Sequence, residues 1–197
     1  MKVLGIVGRN GAGKDSVLDF LKQQCGIAAV SSGDIVRDLA RRENIKPTRN
    51  NLQQLAQKTM QMEGTDAIAR RLIENIEMHA WPAVGVSGLR TADDIAVFRS
   101  HFGDNFKLAY VWVGDAERRF QRLRARGAPR DPKTLEAFVE QERSEEVQFE
   151  ISAAIKQANV KIDNSGQPHE LQQSIRKSPL WDWLDCGRVS HPPVDGK

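Results

Sequence analysis

The feature that most limits how this chain folds is a glycine-rich loop near its N-terminus. Residues 8–16 read Gly-Arg-Asn-Gly-Ala-Gly-Lys-Asp-Ser. They follow an apolar run, Lys2–Val7, that is typical of a strand buried on both faces. The next residues, Lys14–Gln24, have the apolar spacing of a helix. A glycine loop between a strand and a helix predicts a phosphate-binding loop, or P-loop.

The composition of this loop has a chemical reason. Glycines allow backbone N–H groups to turn toward phosphate oxygens, the helix N-terminus adds partial positive charge, and Lys14 adds a full charge. Asp15 stands where a hydroxyl residue usually follows the lysine, and the hydroxyl comes one place later, at Ser16. The predicted nucleotide-binding residues are Gly8, Asn10, Gly11, Ala12, Gly13, Lys14, Asp15 and Ser16, with Ser16 as a ligand of Mg²⁺. A glycine turn without a ligand is the alternative.

The order of the predicted elements indicates an α/β fold. Apolar runs alternate with helical patterns, which predicts a five-stranded parallel, doubly wound sheet of the P-loop NTPase class. The predicted strands are Lys2–Val7, Ile27–Val30, Ala83–Ser87, Phe106–Val113 and Val160–Asp163. Helical insertions interrupt the alternation at about 35–80 and between the fourth and fifth strands, where Asp131 and Pro132 are expected to start a helix. We expect one domain over 1–177 and a C-terminal tail over 178–197.

Composition narrows the class of partner. The net charge is +3 with a pI of about 9, and no apolar run approaches the ~20 residues that span a bilayer. Tyr occurs once and the Phe residues are scattered, so the basic bias favours a small phosphate-bearing ligand over nucleic acid. Cys25 and Cys186 are far apart without metal-ligand spacing, and Cys25 is interpreted as a small buried hydrophobe. This predicts a reduced, cytoplasmic protein, monomeric or homodimeric.

Several motifs resemble those of the nucleoside monophosphate kinases, in which the P-loop hydroxyl also stands second after the lysine. Residues 31–37, Ser-Ser-Gly-Asp-Ile-Val-Arg, are similar to the Ser/Thr-Gly-Asp-x-x-Arg segment of adenylate kinases. Residues 88–91, Gly-Leu-Arg-Thr, are similar to their Gly-Phe-Pro-Arg-Thr without the proline. Residues 160–164 resemble the last strand and purine-side loop of this family and of dephospho-CoA kinases. The likeness covers 1–177 and is strongest to the adenylate-kinase-related P-loop proteins of archaea and bacteria.

The resemblance implies an ATP- and Mg²⁺-dependent phosphotransferase acting on a small nucleotide-like acceptor. It implies a helical acceptor-binding insertion at about 35–80 and an arginine-rich lid at about 118–146. The implied catalytic residues are Lys14, Arg90, Arg126 and Asp34, with Asp34 also near the metal. The implied acceptor-binding residues are Ser32, Gly33, Arg37, Arg90, Arg130 and Arg143, and those on the ATP base side are Arg122 and Asn164.

Simpler roles exist for several of these residues. Asp34 has the position of a helix cap, Arg37 that of a surface arginine, and the arginines at 118, 122 and 126 that of a solvated basic face. Arg143 has three acidic neighbours with which to pair, namely Glu142, Glu145 and Glu146.

One residue departs from the family pattern. Family members carry an Asp before the glycine that aligns with Gly88, and here that position is Ser87. Two other functions therefore stay open. One is a dephospho-CoA kinase-like transfer to a sugar hydroxyl, and the other is a nucleotide-dependent ATPase or switch associated with RNA.

Overall fold

The computed structural model describes residues 1–128 and 131–186, except for the side chain of Arg49. Five strands form one parallel sheet in the order β2-β3-β1-β4-β5, which confirms the predicted α/β architecture. The strands are β1 Lys2–Val7, β2 Ala28–Ser31, β3 Ala83–Ser87, β4 Phe106–Trp112 and β5 Val160–Asp163. No helix in these described ranges is long and apolar enough to cross a membrane.

Helices cover both faces of the sheet and form two insertions. The helices are α1 Lys14–Cys25, α2 Ser32–Arg42, α3 Arg49–Glu63, α4 Ala67–Glu77, α5 Ala92–Phe102, α6 Ala116–Arg126, α7 Leu135–Phe149, α8 Ile151–Lys156, α9 Pro168–Lys177 and α10 Pro179–Trp183. Helices α2 to α4 form the insertion between β2 and β3, and α6 to α8 lie between β4 and β5. The start predicted for α7 is wrong, because Thr134 rather than Asp131 caps that helix by accepting a hydrogen bond from Ala137 N.

The strands form where the sequence is apolar without interruption. Five of the six residues of β1 are buried, because helices cover both faces of this central strand. Gly5 lies at the centre of β1, where a Cβ would come within 2.9 Å of Leu89, Phe106 and Leu108. The absence of a side chain at this position lets the core layer that contains these three residues approach the sheet closely.

Capping boxes begin the two helices that follow β2 and β3. Ser31 and Asp34 exchange side-chain and backbone hydrogen bonds at the start of α2, and Thr91 and Asp94 do the same at the start of α5. These caps start α2 and α5 close to the carboxyl ends of β2 and β3, beside residues that line the cleft described below.

The cysteines differ from the prediction. Cys25 at the end of α1 and Cys186 after α10 form a disulfide, with their Cα atoms 4.6 Å apart. Both are buried in the core layer that contains α1, α9 and α10. The prediction of reduced, unpaired cysteines is wrong, and the cytoplasmic location inferred from it loses that support. Residues 179–183 of the predicted tail form α10, whereas 187–197 lie outside the described residues.

Reduction of the Cys25–Cys186 bond is expected to lower the free energy of unfolding by about 2–4 kcal/mol, because the cross-link restricts the unfolded chain. Urea unfolding with and without a dithiol reductant measures this difference. A Cys186→Ser variant should unfold at the midpoint of the reduced wild type and should not respond to the reductant. An unchanged wild-type midpoint, with free thiols verified, would contradict the prediction.

Candidate functional site

The candidate site lies at the carboxyl edge of the sheet. Ser87 at the end of β3 is in register with Ser31 of β2 and with Ile6 of β1, so three strands end together. The segments that follow these strands line one cleft of about 1630 Å³. Ligands of open α/β sheets bind in such a crevice, outside the carboxyl ends of the strands.

Residues from α6 and from the end of β5 pack closely against the glycine loop that follows β1. Gly11 and Gly13 have φ values of +73° and +85°. A Cβ at Gly11 would lie 2.4 Å from the carbonyl oxygen of Arg119, and one at Gly13 would lie 2.3 Å from the side-chain nitrogen of Asn164. Asn164, predicted to contact ATP, also donates a 2.8 Å hydrogen bond to the carbonyl of Ala12. Neither loop glycine therefore has room for a side chain.

Helix α1 begins directly after the loop. Gly13 is its N-cap and makes no side-chain capping bond, so within the described part of the chain the cap residue leaves the first-turn amides available. These amides and the helix dipole form a site that favours an anion. The loop and helix thus have the arrangement that the sequence predicts for phosphate binding.

Lys14 is turned toward the loop itself. Its Nζ donates to the carbonyl oxygens of Gly8 at 2.7 Å and Arg9 at 3.1 Å. Burial, and next the positive charge of Arg90, lower the pKa of Lys14 to about 8, although Asp15 and Glu145 act in the opposite direction. Phosphate oxygens would satisfy this ammonium group better than two neutral carbonyls.

Nucleotide affinity is expected to fall as the pH rises through about 8, the pKa of Lys14. Only the ammonium form attracts phosphate, and above this pKa affinity should fall by up to about tenfold per pH unit. Fluorescence titration with ATP between pH 7 and 10 measures the effect. Lys14→Arg, which stays charged over this range, should bind ATP with an affinity that depends much less on pH. A wild-type affinity that does not change up to pH 10 would contradict the assignment.

The segment after β2 contributes Ser32, Gly33 and Arg37 to the cleft. Asp34, the predicted metal neighbour, is engaged locally: its Oδ2 accepts from the backbone and hydroxyl of Ser31, and its Oδ1 accepts from Arg37. Partial burial raises the pKa of Asp34, but the hydrogen bonds from Ser31 and Arg37 outweigh it and hold the value below normal. Asp34 therefore caps α2 and orients Arg37.

Arg90 lies in the same cleft, just after β3. Its backbone N–H donates to Asp94 at 2.9 Å, and its guanidinium lies 5.2 Å from the ring centre of Phe149. Arg90 and Lys14 both line the cleft, and the positive charge of Arg90 lowers the pKa of Lys14. Asp94 also lines the cleft, and burial raises the pKa of its carboxyl group.

The predicted basic face of α6 lies at the P-loop end of the cleft. Arg118, Arg122 and Arg126 all line it. Arg122 donates to the carbonyl of Asn164 at 2.8 Å, and its Nη1 is a buried donor that has no hydrogen-bond partner among residues 1–128 and 131–186. Arg126 is already paired with Asp131 through bonds of 2.9 and 2.6 Å. The predicted site residue Arg130 lies outside the described residues.

Arg143 is the predicted site residue that the structure places elsewhere. Its side chain is 76% exposed on the outer face of α7, 4.0 Å from Glu140. Its three other acidic neighbours turn inward instead of pairing with it. Glu145 accepts a 2.7 Å bond from Asn10, and Glu146 accepts a 3.1 Å bond from Arg9. We therefore leave Arg143 out of the proposed site.

The third inward acid, Glu142, pairs with a buried residue that the sequence reasoning missed. Arg119 is 5% exposed and is joined to both carboxylate oxygens of Glu142. Its Nη1 also lies 3.4 Å from the carbonyl of Asn10. A signal was present, because Arg119 falls beside Phe120 and one turn before Leu123, on the apolar face of α6.

The donor groups suit a magnesium–nucleotide complex better than a metal held by protein alone. Across residues 1–128 and 131–186, no three side chains of His, Cys, Asp or Glu are grouped to hold a metal ion. The cleft does contain the Ser16 hydroxyl and the Asp15 carboxylate. Mg²⁺ usually keeps water and phosphate oxygens and takes few protein ligands, so this donor set fits. The free α1 amides and the orphaned Arg122 Nη1 fit the nucleotide.

Comparison with known structures gives the same fold. A shikimate kinase from Acinetobacter baumannii, solved with shikimate, superimposes with a TM-score of 0.55 and 16% identity over 94% of each chain. A gluconokinase from Sinorhizobium meliloti gives 0.52 and 16% over 88% of each chain. At this identity the likeness shows the fold, which is that of the P-loop kinases.

Sequence comparison gives the family. The model of the AAA_17 family, an AAA domain, matches residues 7–139. A UPF0200 protein of Methanothrix thermoacetophila is 33% identical over 178 residues, covering 89% of this chain and 95% of the relative. One of Hyperthermus butylicus is 34% identical over 176 residues, covering 89% and 91%. The match spans only 54% of a UPF0200/UPF0201 protein of Archaeoglobus fulgidus. This chain therefore belongs to the UPF0200 family and carries an AAA_17 domain with a P-loop kinase fold.

Proposed function

We propose that this protein transfers the γ-phosphoryl group of Mg-ATP to a nucleoside or deoxynucleoside monophosphate. The observation that carries the proposal is one continuous cleft, lined at one end by the P-loop and at the other by the helical insertion α2 to α4. Its volume of about 1630 Å³ exceeds the roughly 300–1,000 Å³ of a site for one small molecule. A cleft of this size has room for a donor and an acceptor together.

The P-loop end would hold the donor. The loop amides and Lys14 would bind the β- and γ-phosphates, and Arg122 would use its orphaned Nη1 on the nucleotide. Arg126, balanced by Asp131, would lie beside the same ligand. Bound Mg²⁺ would neutralise charge on the β- and γ-phosphates, and Ser16 is the proposed protein ligand. Phosphoryl transfer needs little else from a protein than positioning and charge.

The insertion would hold the acceptor. Arg37 and Arg90 lie in the cleft between the P-loop and the insertion, where their planar guanidinium groups suit the acceptor phosphate. The insertion end of the cleft has an aliphatic wall formed by Val36, Leu52, Ala56, Met60, Ile68, Ala69 and Leu72. An aliphatic wall suits the flat face of a nucleobase, and Gln53, Gln57 and Thr65, which line the same end of the cleft, offer hydrogen bonds to its polar edge.

A hydroxyl acceptor, as in the dephospho-CoA kinase-like alternative, is the second candidate. Such a reaction benefits from a carboxylate that takes the proton of the attacking hydroxyl. Asp94 is a cleft-lining carboxylate beside Arg90 with a pKa raised by burial, which is the direction that makes a better base. This observation favours keeping hydroxyl acceptors in the test.

The test is acceptor-dependent ADP release from Mg-ATP. Nucleoside monophosphates, deoxynucleoside monophosphates and dephospho-CoA are supplied in turn, and the phosphorylated product is identified by mass spectrometry. A Lys14→Ala sample prepared in parallel reports contaminating kinases. We expect one nucleotide acceptor to stimulate ADP release with a matching product. Slow hydrolysis that no acceptor changes would contradict the proposal and would favour the ATPase or switch alternative.

A further inference from the structure

The inward face of α7 brings a carboxylate to the P-loop. Glu145 lies in the cleft, and its Oε1 accepts hydrogen bonds from Asn10 Nδ2 at 2.7 Å and Gln141 Nε2 at 3.1 Å. Asn10 belongs to the loop that is expected to surround the phosphates. The structure therefore places a negative charge beside a site built for a negatively charged ligand.

This charge acts on the P-loop lysine. Glu145 favours the ammonium form of Lys14, against the stronger effects of burial and of Arg90. Such a carboxylate offsets the positive charges of Arg90 and Arg119 around Lys14. When a triphosphate enters, the same carboxylate faces an anion across a partly buried cleft, where charges are poorly screened.

The carboxylates expected near the P-loop from the adenylate-kinase resemblance do not serve it here. Ser87 stands where those kinases carry an Asp and has no charge. Asp34 is already hydrogen-bonded to Ser31 and Arg37. Of the cleft-lining carboxylates, Asp15 and Glu145 are the ones whose charge acts on Lys14. Asp15 lies in the first turn of α1, whereas Glu145 reaches the loop from a different element.

We propose that Glu145 makes the P-loop discriminate in favour of the magnesium complex of ATP over the metal-free nucleotide. The metal-free triphosphate carries about two more negative charges than its magnesium complex, so one nearby carboxylate repels it more strongly. Glu145 thereby couples nucleotide binding to the divalent cation without being a required ligand. The inference rests on the proposed ATP site, but it does not depend on any acceptor.

The repulsion is measured by binding, not by turnover. The wild type and Glu145→Gln are titrated with ATP in excess Mg²⁺ and with ATP in a chelator, at low salt. Glutamine keeps an oxygen that accepts from Asn10, so the fold is expected to persist, and thermal unfolding verifies this. We expect Glu145→Gln to bind metal-free ATP roughly tenfold more tightly, while its affinity for Mg-ATP, which carries less negative charge, changes by much less.

Two further variants sharpen the result. Glu140→Gln removes the same charge from the same helix, but its side chain is 76% exposed on the outer face, so the preference for Mg-ATP should not change. Glu145→Asp keeps the charge and should retain most of the preference. The tenfold shift should also shrink as the salt concentration rises, because screening weakens the repulsion.

The outcomes are distinct. If Glu145→Gln leaves the ratio of the two dissociation constants at the wild-type value, or improves both affinities equally, the inference is overturned and the proposed function stands. If the wild type binds neither form of ATP, both the inference and the proposed function fail. If the dissociation constant for metal-free ATP, divided by that for Mg-ATP, is smaller in Glu145→Gln than in the wild type, the inference is supported whether or not an acceptor has been found.

Discussion

Replacement of Arg90 by alanine is expected to lower kcat/KM for phosphoryl transfer by about 10³-fold or more, the order found for arginines that stabilise transferring phosphoryl groups. The guanidinium of Arg90 lies in the cleft between the P-loop and the insertion, and Phe149 covers one side of it. Arg90→Lys keeps the charge but loses the planar fork, so an intermediate loss is expected.

A second measurement separates this role from a structural one. Because Arg90 lowers the pKa of Lys14, Arg90→Ala should move the pH at which nucleotide affinity falls to a higher value. The matched control is Arg41→Ala on α2, where the side chain is 79% exposed and paired with Asp38, and activity should be retained. Wild-type transfer by Arg90→Ala would remove Arg90 from the catalytic site.

Replacement of Glu142 by alanine is expected to lower the free energy of unfolding by about 3–5 kcal/mol, the cost of removing one partner from a buried ion pair. Glu142 accepts hydrogen bonds from both terminal nitrogens of the Arg119 guanidinium group, and the Arg119 side chain is only 6% exposed. Among the described residues, no other carboxylate is bonded to Arg119. Urea unfolding measures the loss.

The controls test whether burial is the cause. Glu140→Ala, two residues earlier and exposed, should change stability by less than about 1 kcal/mol. An Arg119→Met, Glu142→Leu double variant should recover most of the loss, because no unpaired charge then remains buried. A small effect of Glu142→Ala would mean that water reaches Arg119 in solution.

Local sequence was sufficient to predict the strands and the P-loop. Burial of β1 on both faces demands an uninterrupted apolar run, and the loop demands glycines where a Cβ would strike Arg119 or Asn164. Arg90 was also predicted to reach the cleft, because it follows a strand whose carboxyl end opens there, whereas Arg37 was assigned to the site by its resemblance to a family motif. The strands, the loop and the position of Arg90 follow from rules that act within a few residues of the chain.

The inward and outward faces of α7 were not predictable in this way. Glu140, Arg143 and Glu145 all occur in a polar stretch, and their spacing alone does not reveal which of them faces the P-loop. The Cys25–Cys186 disulfide was not predictable from local sequence either, since 161 residues separate the two cysteines. Such contacts depend on how distant elements pack.

The sequence by itself thus determined the parallel α/β sheet, the phosphate loop and the position of Arg90 after a buried strand, because short-range periodicity and backbone stereochemistry specify them. Tertiary structure alone decided that Glu145 contacts the P-loop, that Glu142 neutralises Arg119, and that Arg143 is exposed to solvent. The physical reason is that the energy of a charge depends on its burial and on its partners in space, and neither is encoded by its neighbours in the chain.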